Sequence, residues 1–161
     1  MQKLKYMILL ASLSIFFGAC PYESTVPIDS PQIRIDSQLL GDWKDSKDEK
    51  EHYQIKSLDS FIYEIIKYNK DEREETKYNA YISVINTTKF LNLWEIKSDQ
   101  SNSTYNLYKI ENIDSKLLII SEVTENIIEI FTTSEALKNF ISENMHHSFF
   151  YNKEKMKLIH Y

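Results

Sequence analysis

Few residues in this 161-residue chain could do chemistry, and their spacing excludes more than it allows. Glycine occurs only twice, as Gly18 and Gly41. A Walker loop, a dinucleotide fingerprint and a Gly-x-Ser-x-Gly elbow all need glycines where the backbone takes positive φ or approaches a ligand closely. None can be written here, so nucleotide-dependent and α/β-hydrolase chemistry are excluded. The lone cysteine, Cys20, permits neither an intramolecular disulfide nor a cysteine metal cage. His146-His147, with Glu143 one turn upstream, has no His-Glu-x-x-His frame, and adjacent histidines diverge, so it reads as an exposed pair rather than a zinc site. His52 and His160 fall on outer strands and are expected to meet across the sheet. The run Asp71-Glu72-Arg73-Glu74-Glu75 lacks the alternating ligands and central glycine of a calcium loop and reads as a solvated hairpin tip. No catalytic residue, metal or cofactor is assigned. The net charge of −5 argues against nucleic acid as a partner.

Aromatic residues are the remaining candidates. Tyrosine has an apolar body and a polar tip, suited to a barrel mouth or a partner-facing sheet. Tyr63, Tyr78, Trp94 and Tyr105 are expected to form such a ligand or partner surface.

The elements that must position them are mostly strands. Runs at 39–45, 50–57, 60–69, 76–86, 89–98, 104–112, 116–124 and 126–132 have strand composition, several with period-2 alternation. Tyr78, Ala80, Ile82 and Val84 share one face, for example, and Lys77, Asn79 and Ser83 the other. The connectors are rich in Asn, Asp and Ser, which tolerate turn geometry in place of glycine. Short connectors favour antiparallel neighbours. Ala136, Leu137, Phe140 and Ile141 recur at helical spacing, which predicts a helix over 133–144. Thr132 with Glu135 has the form of a capping box. The residues from Lys155 to Tyr161 make a short last strand.

At the N-terminus, Lys3 and Lys5 precede an apolar run from Met7 to Phe17, too short for a permanent membrane span of ~20 residues. Its ending, Phe17-Gly18-Ala19-Cys20, resembles a bacterial lipoprotein signal, with Phe17 where that family usually has Leu. The resemblance implies cleavage after residue 19 and a lipid on Cys20. Loss of residues 1–19 would take the net charge from −5 to −7, so the lipid rather than electrostatics would hold the protein to a membrane. Residues 20–35 contain all three prolines among polar residues and read as a flexible tether.

Eight antiparallel strands, one C-terminal helix and a short last strand over 36–161 make the layout of a lipocalin-like β-barrel. Gly41-Asp42-Trp43 resembles the Gly-x-Trp motif that opens the first lipocalin strand. The resemblance implies that Gly41 and Trp43 close the barrel floor. No Thr-Asp-Tyr motif follows in a later loop, and no arginine in the last strand is available to stack on the tryptophan. The expected function is that of a non-catalytic binding module of the cell envelope, anchored through Cys20 to a bacterial membrane, preferentially the outer one. Its ligand is a small apolar molecule or an envelope partner. The alternative is a protein-facing accessory, an inhibitor or immunity-type lipoprotein that covers its partner.

Overall fold

A computed structural model describes residues 21–69, 75–97, 104–124 and 126–161. Its strands are β1 (Glu23–Ser24), β2 (Gly41–Asp45), β3 (Glu51–Ser57), β4 (Tyr63–Asn69), β5 (Glu75–Ile85), β6 (Thr88–Glu95), β7 (Tyr105–Ile113), β8 (Leu117–Glu122) and β9 (Met156–His160). One helix, α1 (Ser134–Asn144), lies between β8 and β9. Strands β2 to β9 pair antiparallel in chain order, and β2 also pairs with β9, with Trp43 opposite His160. The sheet therefore closes into an eight-stranded, up-and-down barrel. The two-residue β1 is an extra strand on β7, with Ser24 opposite Tyr105. Cys20, residues 71–74 of the acidic run and the connector 98–102 lie outside the described residues.

Aspartate and asparagine make the turns, as their side chains allow. Asp59 Oδ1 accepts from the backbone N–H of Phe61 at 2.7 Å and of Ile62 at 2.8 Å. Asp114 does the same for Lys116 and Leu117. Asn86, at φ +56°, takes the left-handed position in the turn between β5 and β6, a conformation that Asn tolerates better than most residues.

The predicted strand at 126–132 is not part of the sheet. The short last strand, β9, supplies the eighth barrel strand instead. Alternation does mark two faces at 126–132: Ile127 and Phe131 pack inward, while Ile128 and Ile130 are 87% and 84% exposed. Period-2 patterning reports an extended chain with two faces and does not say whether a partner strand adjoins it.

Two cores result, one on each face of the same strands. The inner core contains Trp43, Ile55, Ile65, Ile82, Leu118 and Leu158. A bulge in β7 between Ile110 and Asn112 shifts the alternation so that Ile113 joins this core as well as Ile110. The outer core contains Ile85, Phe90, Leu107 and Val123 from the backs of β5 to β7 and the chain after β8, covered by Leu137, Ile141 and Phe150. Leu137 and Ile141, four residues apart, share the buried face of α1. Phe140 is half-buried and meets Phe131 and Phe150 at ring-centroid distances of 5.0 and 6.1 Å. Thr133, not Thr132, caps the helix, accepting from the Ala136 N–H at 3.2 Å.

The N-terminal segment is no tether from residue 21 onward. Tyr22 and Ile28 belong to the outer core, and Ile28 has no exposed surface. The Ile28 N–H donates to the buried Asn92 Oδ1 at 2.9 Å, and Asn92 Nδ2 donates to Ser83 Oγ at 2.7 Å. Ser83 in turn donates to the Asp29 carboxylate, whose other oxygen accepts from Lys138 Nζ at 2.8 Å. The polar composition that read as unstructured is matched by polar side chains on the back of the sheet, so its burial leaves these groups paired.

Candidate ligand-binding cavity

One end of the barrel is capped by a single turn of 3-10 helix, Ser37–Leu39. Trp43 Nε1–H donates to the Leu39 carbonyl at 3.0 Å, and the tryptophan has no exposed surface. His160 meets it edge-on at 4.9 Å and occupies the place where an arginine was sought. Gly41 sits at φ +126°, and a Cβ there would lie 2.3 Å from His160 Nε2. Glycine is thus required at position 41 by both backbone conformation and contact. His52 and His160 do not pair, because they face opposite sides of the sheet. His52 Nδ1 instead bonds the Tyr161 hydroxyl at 2.6 Å, and its ring stacks on Tyr68.

Above this floor the interior is not filled. A cavity of about 140 Å³ is lined by Ile55, Ile65, Leu91, Leu118 and other aliphatic side chains, with Tyr53, Tyr63, Tyr78, Tyr108, Lys67 and Met156 completing it. A second hollow of about 200 Å³ shares Tyr108 and Met156 with it. That hollow also touches Lys47 and Glu154, which pair at 2.7 Å with 60% and 84% of their side chains exposed, so it forms the mouth.

The polar tips of the cavity gather towards the mouth. Tyr53 donates to Glu51 Oε2 at 2.9 Å, and Tyr108 donates to Glu122 Oε1 at 2.8 Å. Lys67 Nζ pairs with Glu51 Oε1 at 2.8 Å. Burial, reinforced by these neighbouring carboxylates, pushes the Tyr53 and Tyr108 phenols far above the ordinary tyrosine value. Both remain neutral donors across the biological pH range. Asn106 lies opposite Leu93, on the inward face of β7, and its buried Nδ2 has no hydrogen-bond partner. The lining can exclude water and hydrogen-bond a guest.

The four aromatic residues expected to share a surface are divided by the pleat. Tyr63 and Tyr78 line the cavity, and Tyr63 accepts from the Asp36 N–H near the floor. Trp94 lies opposite Asn79 rather than Tyr78, so it faces outward, 5.7 Å from the Tyr105 ring and 6.0 Å from Tyr81. Tyr53 and Tyr108 are among the strand aromatics of the sequence, though outside the expected surface, and Lys67 was not singled out. The available signal was their two-residue spacing from Ile55, Ile110 and Ile65. His146 and His147 line a groove on the outer face with Lys109 and Lys153, and His147 stacks on Phe149 at 5.0 Å. Among the described residues, no three His, Cys, Asp or Glu side chains gather at metal-binding distance.

No family model, curated protein or solved structure matches the chain.

Proposed function

We propose that the protein is a lipid-anchored lipoprotein of the bacterial cell envelope. Cys20 carries the anchor, with the outer membrane as the favoured site. The barrel binds, without catalysis, a small apolar molecule bearing a hydrogen-bond acceptor. The single observation that carries the ligand reading is the aliphatic cavity of about 140 Å³ beneath a tyrosine-rimmed mouth. An apolar cavity of about 150 Å³ in another protein stays dry and takes up benzene, which sets the size of the guest. The tyrosine tips and the Lys67 ammonium among the barrel's lining supply the reason for an acceptor. Division of the aromatic residues between interior and outer face favours this reading over a tyrosine-rich surface that covers a partner protein.

Thermal unfolding of the mature protein in toluene, benzaldehyde and naphthalene series tests it. A ligand bound only by the folded state stabilises it by ~2.7 kcal/mol at a hundred times its dissociation constant. A saturable rise in Tm is expected, larger for benzaldehyde than for toluene because of its carbonyl, and absent for the larger naphthalene. The absence of any saturable rise across the series would refute the proposal.

A further inference from the structure

We infer that Ile128 and Ile130 form a membrane-contacting patch that seats the domain against a lipid surface beside its anchor. This inference rests on the proposed lipidation of Cys20. The first described residue, Pro21, is covalently next to that cysteine and bridges to Thr124. The Tyr22 N–H donates to the Val123 carbonyl at 3.1 Å, which fixes the chain two residues from the anchor point. The same segment holds the loop at 127–131. Tyr22 Oη–H donates to the Glu129 carbonyl at 3.2 Å, and Thr25 Oγ1–H donates to the Phe131 carbonyl at 3.0 Å. Pro21 and Ile128 to Phe131 line one shared hollow.

Pro21, Tyr22 and the loop are therefore held as one piece. Ile127 and Phe131 are spent on the outer core, which turns Ile128 and Ile130 to the outside. At 87% and 84% exposure they are the two most exposed large hydrophobic residues described. Isolated exposed aliphatics are ordinary, but this pair stands beside the one point where acyl chains would enter a bilayer. Glu23 and Glu129 flank the patch and are exposed, so the surface it fits is zwitterionic rather than anionic. Two shallow aliphatic contacts beside a fixed anchor would restrict how the barrel tilts, which the lipid alone would leave free.

The test uses the full chain, expressed in a bacterium that processes lipoproteins and reconstituted into phosphatidylcholine vesicles. Acylation leaves Cys20 without a free thiol, so Ile128→Cys, Ile130→Cys and Leu58→Cys each take a single nitroxide label. Leu58 is 53% exposed on the turn between β3 and β4 and serves as the reference. Relaxation by oxygen, which partitions into the bilayer, should exceed relaxation by a water-soluble nickel chelate at 128 and 130, with the order reversed at 58. Acylated, vesicle-bound protein with all three labels equally open to the chelate would overturn the inference alone. Dipolar broadening between labels at 128, the mark of a second copy covering the patch, would also overturn it. Mass spectrometry of the same sample showing no acyl group on Cys20 would overturn the anchor itself, and this inference with it.

Discussion

Inside the barrel, Ile55, Ile65, Leu91 and Leu118 surround a space that they do not fill. On the back of the same sheet, Phe90 and Leu107 meet Leu137, Ile141 and Phe150, each of which is at most 1% exposed. The residue types are alike, so composition does not explain the difference. Closure does. The radius of a closed sheet follows from strand number and stagger, so an eight-stranded barrel cannot contract onto a void. A helix joined by loops can settle until its side chains interdigitate, and α1 and the N-terminal segment have done so. The outer face holds the molecule together, and the inner face encloses a cavity.

The sharpest way to break this contrast is to empty the filled side. Phe150→Ala should lower stability by ~3–5 kcal/mol, a large part of a domain's ~5–15 kcal/mol, and shift the urea midpoint accordingly. A loss below ~1 kcal/mol would show that the outer core is as loose as the interior.

The polar rim of the cavity gives a prediction of intermediate size. Burial, then the adjacent carboxylates, raise the Tyr53 and Tyr108 phenols above the unfolded value of about 10. Below pH ~10 both states keep these protons and stability is full. Above it the unfolded chain releases protons that the folded chain retains, so stability falls as pH rises, by ~1.4 kcal/mol per pH unit for each tyrosine so held. Urea midpoints between pH 9 and 11.5 should show this decline, and Tyr53→Phe should make it shallower. An unchanged slope in the variant would mean that Tyr53 ionises as freely in the barrel as in water.

The smallest effect is the most discriminating. Adding volume to a packed core typically costs ~1–3 kcal/mol. Leu137→Phe in the outer core should show that cost, whereas Leu91→Phe, extending into the cavity, should change stability by less than ~1 kcal/mol. Equal penalties would mean that the interior has no usable space.

Much of this architecture could be read before any coordinates. The alternation Tyr78, Ala80, Ile82, Val84 names the inward face of β5, and Leu137 with Ile141 names the buried face of α1. What could not be read depends on what lies across the sheet. Ser83 and Asn92 look like solvent-facing residues until the N-terminal segment covers them. The run at 126–132 alternates like a strand but has no ladder beside it. Trp94 joined Tyr78 in one expected surface because pairing register, which separates them, is a property of two strands together. The cavity belongs to the same class of facts. Each lining residue is an ordinary strand hydrophobe, and the space among them is set by barrel closure, which no single strand encodes.

The central claim is that the interior holds an apolar cavity while the outer core is filled, and a crystal of the mature domain under xenon pressure tests it most directly. Xenon should appear between Ile55, Leu91 and Leu118, with none between α1 and the sheet. An interior that takes up no xenon, or equal occupancy on the two faces, would contradict the account.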